Sequence, residues 1–171
     1  MIDRTTCVTL ARYNSWQNRQ LREAVEGLTE ADLIRDRGAH FGSILGTLNH
    51  LLWGDQIWMS RFDGGAGPGI PLAESPSLCA RADLWATERF RTDARIMLWA
   101  EGLTAVELAG SMSWHSGATG RDVTRPVALC VLHMFNHQTH HRGQVHALLT
   151  AAGARAPVTD LCFMSESDGR L

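Results

Sequence analysis

Lysine is absent from this chain of 171 residues, and all sixteen of its basic side chains are arginine. No lysine is therefore present to form a Schiff base or to act as a catalytic amine. The arginines are scattered among eighteen acidic residues, and the formal net charge is -2. Because nucleic-acid binding leaves a basic stripe or a basic domain in a sequence, this distribution predicts no nucleic-acid partner.

Long hydrophobic runs are also missing. No apolar stretch approaches the ~20 residues that a membrane span needs, so no membrane association is predicted. The first residues, Met-Ile-Asp-Arg-Thr-Thr, lack the apolar segment of a secretory signal. The four cysteines are far apart and form no CxxC pair, which excludes a zinc ribbon and a thioredoxin motif. Together these absences predict reduced thiols and a cytoplasmic protein.

Apolar residues at helical spacing make up much of the remaining sequence. At 44% hydrophobic the chain can bury a proper core, and its length suits one domain, so residues 1–171 are expected to fold together. Four helices are predicted, over residues 5–27, 44–62, 77–101 and 126–152. Glycine and proline interrupt residues 63–77, and residues 111–126 predict a small hairpin or an extended crossover. The fold class expected is all-α, a four-helix bundle.

Capping residues predict where these helices begin and end. Ser43 precedes the second apolar segment and Ser77 the third, as helix N-caps do. Pro126 suits the first position of the fourth helix, and Gly153 suits its end. Residues 28–41 are expected to form a short, turn-rich connection.

Histidine is concentrated in the fourth predicted helix, where five of the eight histidines fall within fourteen positions. His133, His137 and His141 are spaced four residues apart, so they share one helix face that adjoins apolar positions. Gln144 lies close to the same line. Buried imidazoles need partners, because an unpaired polar group costs free energy on burial. Two imidazoles at i and i+4 can bind one metal ion, with a third ligand from another helix.

The second predicted helix supplies that third histidine. His50 has Gly46 and Gly54 one turn to either side, although each glycine costs about 1 kcal/mol relative to alanine in a helix. The two glycines either clear space around His50 or mark close packing of two helices. The combination of His50, His137 and His141 predicts a metal site that keeps positions open for water or substrate. The exposed stripe of this helix is expected at Asn49, Gln56 and Ser60.

Neighbouring residues have more than one interpretation. His133 is a further ligand, a hydrogen-bond partner of a ligand or a satisfied core residue, and we favour the last two. Cys130 is a soft ligand or, as we favour, a buried inert thiol. Asp55 orients a ligand, acts as a base or forms an ordinary ion pair. Gln144 is expected to hydrogen-bond a ligand or the substrate, and Arg142 turns away from the ligands and is assigned to structure.

Two segments of this sequence resemble a known family. LNHLLWGDQIW (residues 48–58) and LHMFNHQTHHRGQVHALLTAAG (residues 132–153), with the distinctive core His-x3-His-Arg-Gly-Gln, are similar to the DinB family. That family belongs to the DinB/YfiT-like metalloenzyme superfamily. The resemblance covers nearly the whole chain and extends to RYNSWQNRQL in the first helix and APVTDLCFM in the tail.

The resemblance implies a four-helix bundle with up-down-down-up connections, often a homodimer. It implies that His50, His137 and His141 bind a divalent transition metal. Zinc or nickel is the expected ion, and manganese or iron is the alternative. Relatives include thiol-dependent transferases and isomerases that use mycothiol, bacillithiol or glutathione, so a low-molecular-weight thiol is an expected cosubstrate. The family name refers to damage-inducible expression and implies no polymerase activity.

Two kinds of enzyme fit an open three-histidine metal site. Such a metal makes a nucleophile of water or of a thiol near neutral pH, which gives a hydrolase or a thiol-dependent S-transferase or isomerase acting on a small molecule. A competing hypothesis is a non-catalytic metal-binding stress-response protein, in which His133 or Cys130 closes the site. A third is a metal-free bundle with a histidine pH switch. The sequence identifies no general acid or base.

Overall fold

Most of the chain is helical in a computed structural model, which describes residues 2–117 and 119–169. The helices, in chain order, are α1 (Arg4–Glu26), α2 (Glu30–Ile34), α3 (Ile44–Asp63), α4 (Ala82–Gly102), α5 (Ala105–Ala109) and α6 (Val127–Ala151). Short 3-10 helices occupy Leu72–Ser77 and Leu161–Phe163. Strands β1 (Ser111–Ser116) and β2 (Arg121–Pro126) form one antiparallel sheet. Among the helices described, none has the length and apolar character needed to cross a membrane.

Two of the four residues predicted to mark helix boundaries, Ser43 and Gly153, are confirmed. The Ser43 side chain accepts a hydrogen bond from the backbone N–H of Gly46 and caps α3. Gly153 follows the last turn of α6 with a φ of 76°, a left-handed conformation that favours glycine. The predicted hairpin is also present, with Ser111 paired to Pro126 and Ser116 paired to Arg121.

The other two boundaries differ from the prediction. Ser77 ends a 3-10 helix, and α4 begins only after Arg81, because the local i→i+3 turn uses the segment that was expected to open the helix. Pro126 is the N-cap of α6, one residue before its predicted position, because it is still the last residue of β2. The strand therefore leads directly into the helix that carries most of the histidines.

Two short helices were missed by the sequence-based prediction. Thr29 caps α2 by accepting a hydrogen bond from the Asp32 backbone N–H. Thr104 and Glu107 form a capping box at the start of α5. A Thr-x-x-Glu pattern is readable in a sequence, but neither helix is long enough to show an apolar period.

The four long helices pack in a closed ring, in which α1 and α3 each contact both α4 and α6. Two apolar clusters lie among them. The first includes Leu21, Leu48, Trp85, Leu148 and Leu149. The second includes Cys7, Met59, Ile96, Val131 and Met134. On every long helix, residues of the two clusters occupy opposite ends.

Buried polar residues separate the two clusters. Arg89 of α4 donates from Nη1 to Asp55 Oδ2 on α3 at 2.6 Å, and its Nη2 lies 2.8 Å from Asp93 Oδ1. Gln138 of α6 donates to the other oxygen of Asp55 at 2.9 Å. Asn14 of α1 donates to Asp93 at 2.8 Å. Each long helix thus contributes to one buried layer of hydrogen bonds, which we call the polar layer.

Two further side chains complete the polar layer. Asn18 donates to Asp93 at 2.9 Å, and Arg142 donates to Asn14 Oδ1 at 2.7 Å while its guanidinium lies over the ring of Tyr13. Burial raises the pKa of Asp93 to about 6 despite the opposing effect of Arg89. Arg142 therefore has the structural role expected of it.

Replacing Arg89 tests the importance of the polar layer. Arg89→Met keeps a similar volume but leaves two buried carboxylates without their cation, so the free energy of unfolding is expected to fall by about 3–5 kcal/mol. Arg91→Met is the matched control, because Arg91 is exposed and forms an ion pair with Glu88 on the surface. Urea denaturation measures both variants. Equal stability of the two variants would contradict the assignment.

Candidate metal centre

Three histidines from two packed helices converge in the structure. His50 lies on α3, and His137 and His141 lie one turn apart on α6. Each ring contributes one nitrogen, and these three nitrogens lie within 4.8 Å of one another, a spacing that can hold one metal ion. The ring centroids of His137 and His141 are 4.3 Å apart, and the centroid of His50 lies 5.3 Å from that of His137 and 4.6 Å from that of His141. The three histidines selected from the sequence therefore meet at one point.

His50 is held by residues outside its own helix. Its Nδ1 lies 2.9 Å from the hydroxyl of Ser75, which is fully buried. The ring of Phe41 stacks on the imidazole at 3.9 Å between centroids. If Nδ1–H donates to Ser75, the lone pair is on Nε2 and is free to bind a metal. Ser75 and Phe41 lie in connecting segments with no local motif, so the sequence offered no signal for either.

His141 is oriented from within α6. Its Nδ1 lies 2.8 Å from Gln144 Oε1, and since an amide oxygen can only accept, Nδ1 carries the proton. The lone pair of His141 is consequently on Nε2. The amide nitrogen of Gln144 lies 3.3 Å from His140 Nε2. Gln144 thus has its closest polar contacts with a candidate ligand and with an exposed histidine beside it.

His137 occupies a space that only glycine leaves open. A Cβ built on Gly54 would lie 2.6 Å from Cε1 of His137, closer than real side chains approach. The glycine therefore allows α3 and α6 to pack closely, and the imidazole that fills the gap comes from α6. A Cβ on Gly46 would instead collide with the carbonyl oxygen of Phe41. Neither glycine makes room for His50, which corrects one of the two interpretations of the sequence.

The three imidazoles are neutral at pH 7. Burial lowers the pKa of His50 to about 4 and that of His137 to about 3, and neighbouring histidines act in the same direction. Burial also lowers the pKa of His141, partly opposed by its hydrogen bond to Gln144. Nδ1 of His137 is buried and has no hydrogen-bond partner among the described residues. Neutral imidazoles with available lone pairs are the form that binds divalent metals, so these residues fit such an ion.

His133 and Cys130 lie outside this group. The His133 ring is exposed, its centroid is 6.0 Å from that of His137, and it packs against Trp58. Cys130 is a buried free thiol whose pKa is raised by burial. Within residues 2–117 and 119–169, the group of potential ligands contains the three histidines alone. Asp55 does not join them, because the polar layer engages both of its oxygens.

The segment that carries Ser75 is attached to α3 by further hydrogen bonds. Asn49 donates to the carbonyl oxygens of Pro76 and Cys79, at 2.8 and 2.9 Å. Trp53 donates from its indole nitrogen to the carbonyl oxygen of Ile70 at 2.8 Å. Asn49 is buried, so its expected place on an exposed stripe was wrong. Its role cannot be seen in the sequence, because its partners lie in a loop without periodicity.

A cavity of about 710 Å³ opens beside the histidines and is lined in part by His50 and His141.

The model of the DinB family matches residues 1–170 of the chain. The chain belongs to the DinB family. Protein DinB of Bacillus subtilis strain 168 is 26% identical over an alignment of 170 residues. The match covers 93% of this chain and 95% of that protein.

A solved structure shows the same fold. The crystal structure of a DinB-like protein from Bacillus cereus ATCC 10987 matches with a TM-score of 0.59 and 19% sequence identity. The match covers 84% of this chain and 90% of that chain. The fold is therefore shared with a DinB-like protein, as the sequence resemblance led us to expect.

Gly54→Ala tests the space that α3 provides for His137. The added carbon would displace the imidazole, so zinc affinity is expected to fall about 10–100-fold, as for the loss of an orienting contact. Gly143→Ala on α6 is the matched control, because a Cβ built there has no side chain of the described residues within 4 Å. The control is expected to gain up to about 1 kcal/mol of stability with unchanged zinc affinity. Zinc titration and urea denaturation measure both effects, and unchanged affinity in Gly54→Ala would contradict the assignment.

The histidine group also predicts how the metal-free protein responds to acid. The pKa values of His50 and His137, about 4 and about 3, lie below the ordinary value of 6.5. Below pH 6.5 the unfolded chain therefore binds more protons than the folded chain. The contribution of both residues to the free energy of unfolding is expected to fall as the pH decreases from 6.5 toward 3.

Urea denaturation of metal-free protein between about pH 7 and pH 4 measures this dependence. The comparison is with His50→Gln/His137→Gln, in which the acid-induced loss is expected to be smaller. The comparison with the variant is needed because Asp93, which is present in both proteins, changes stability with pH in the opposite direction. Its raised pKa adds stability as the pH falls from about 6 to 3.8. Identical pH dependence in both proteins would refute the assignment.

Proposed function

We propose that this member of the DinB family is a metal-dependent enzyme in which His50, His137 and His141 bind one divalent transition metal ion. The observation that carries the proposal is the meeting of three neutral imidazoles, whose potential ligand nitrogens lie within 4.8 Å of one another. Two of the three, His50 and His141, line a cavity large enough for a small molecule. Imidazole ligands suit zinc or nickel, with manganese or iron as alternatives. Three protein ligands leave coordination positions open, which is the composition of a catalytic site.

The described residues have distinct tasks in this proposal. Ser75 and Gln144 each engage Nδ1 of a histidine and so orient His50 and His141 with Nε2 toward the ion. Phe41 covers one face of His50 and keeps water from that side. The metal, when bound, supplies Lewis-acid chemistry that makes a nucleophile of a thiol or of water near neutral pH.

The proposed reaction is thiol-dependent S-transfer or isomerisation of a small molecule, ahead of hydrolysis. In hydrolases of the His-Glu-x-x-His type, a carboxylate beside the metal acts as general base for the attacking water. No Asp or Glu is among the described residues that line the cavity, and Asp55 is committed to Arg89 and Gln138. A metal-bound thiol is deprotonated outright, whereas metal-bound water keeps a pKa of about 7, so the thiol depends less on such a base. A low-molecular-weight thiol is therefore the proposed cosubstrate.

A purely structural metal is the competing proposal, as in a non-catalytic stress-response protein. Structural sites in proteins usually have four protein ligands. The candidates for a fourth ligand were His133 and Cys130, and neither belongs to the histidine group of the described chain. This favours the enzyme.

The proposal includes a single-domain four-helix bundle with up-down-down-up connections. The first apolar cluster contains residues from the C-terminal halves of α1 and α6 and the N-terminal halves of α3 and α4. The second cluster contains the opposite halves. This distribution supports parallel α1 and α6, with α3 and α4 running the other way. A homodimer and a cytoplasmic location stay predictions.

Elemental mass spectrometry of protein purified without a histidine tag tests the metal site. About one transition metal ion per chain is expected, and it should be lost in His137→Ala/His141→Ala. His115→Ala/His146→Ala is the matched control, since both residues lie outside the three-histidine group. Thiol-transfer activity should disappear with the metal and return on reconstitution.

Two outcomes would overturn the proposal. One is a native protein without metal, even after incubation with zinc and nickel. The other is equal metal content in the two double variants. If the protein hydrolyses esters or amides and transfers no thiol, the proposed metal site stands, but the reaction is hydrolysis and not thiol transfer.

A further inference from the structure

The cavity beside the candidate metal centre is lined by apolar residues, histidines and one glutamine. Its apolar side is formed by Phe41, Leu72, Ala73 and Pro76. Its polar side is formed by the histidines His40, His50, His140 and His141 together with Gln144. No Asp, Glu or Arg is among the described residues that line it. Its volume of about 710 Å³ lies within the range of small-molecule sites.

The apolar wall is a fixed part of the fold. Leu72, Ala73 and Pro76 belong to the 3-10 segment that Ser75 joins to His50. Two side chains of α3, Asn49 and Trp53, hold the backbone on either side of that segment. Since the same contacts also orient a candidate ligand, the wall and the metal centre cannot move independently.

This lining discriminates between ligands by charge. A carboxylate or ammonium group that enters the cavity gives up part of its hydration, and the described lining offers it no Arg, Asp or Glu as an ion-pair partner. An apolar or aromatic group gains from contact with Leu72, Pro76 and the ring of Phe41. The favoured ligand therefore has an uncharged body and presents one donor atom toward His50 and His141.

We infer that the substrate is a small, uncharged and largely apolar thiol or thiol acceptor, and that this cavity discriminates against charged thiols. The inference rests on the proposed function, because the donor atom is bound by the metal. Glutathione carries two carboxylates and an ammonium group at neutral pH, so it is expected to be a poor ligand.

Cobalt(II)-reconstituted protein allows binding to be measured without turnover. The probes are benzyl mercaptan and its para-carboxylate and para-aminomethyl derivatives, which share one thiol and one ring and differ in charge. Titrations of the visible absorption of cobalt give the three dissociation constants. Benzyl mercaptan is expected to bind at least about tenfold more tightly than either charged derivative.

A charge introduced at the wall should change this selectivity. Leu72 is 46% exposed at the cavity, so Leu72→Arg places a guanidinium there without emptying the core. The variant is expected to bind the carboxylate probe about tenfold more tightly than the native protein does. Leu161→Arg is the matched control, because Leu161 is 40% exposed and does not line the cavity. Its selectivity should equal that of the native protein.

The outcomes separate this inference from the proposed function. Cobalt binding is measured first, and a chain that binds no cobalt overturns the proposed function together with the inference. Normal cobalt binding with equal affinity for the three probes, or with tighter binding of a charged probe, overturns the inference alone. The same holds if no probe alters the cobalt spectrum, or if Leu161→Arg shifts selectivity as much as Leu72→Arg.

Discussion

An arginine enclosed by two aspartates lies at the centre of this helical protein. Arg89 joins α4 to α3 through Asp55, and its second aspartate, Asp93, receives hydrogen bonds from α1. Buried charges are tolerated only when paired, so the long helices must keep the register that brings these groups together. Apolar clusters on either side tolerate small shifts more easily than the polar layer does, because dispersion contacts are not directional.

The candidate metal centre depends on that register. Asp55 follows Gly54 on α3, and Gln138 follows His137 on α6, so the hydrogen bond between Asp55 and Gln138 lies next to the close approach of Gly54 and His137. A helix shifted by one turn would break that hydrogen bond and separate the imidazoles. The polar layer therefore positions the ligand-bearing faces of α3 and α6, and the 3-10 segment then adds Ser75 and the cavity wall.

Much of the fold and the centre of the candidate site could be predicted from the sequence. Ser43 and Gly153 mark helix ends, and the hairpin follows from its turn residues, because these signals are local. His50, His137 and His141 were found from spacing and resemblance. The start of α4 was misplaced because Ser77 belongs to a local 3-10 turn. Asn49 was misassigned because its hydrogen-bond partners are backbone carbonyls of a distant loop.

By itself, the sequence determined the helical periods, the cap residues and the alignment of imidazoles along α6, since each depends on residues a few positions apart. Tertiary structure alone decided which imidazole Gly54 accommodates, how Ser75 engages His50, and that Asp55 pairs with Arg89 and Gln138. It also decided that an uncharged wall faces the site. The physical reason is that these contacts join residues far apart in the chain. Their partners become neighbours only when the long helices pack.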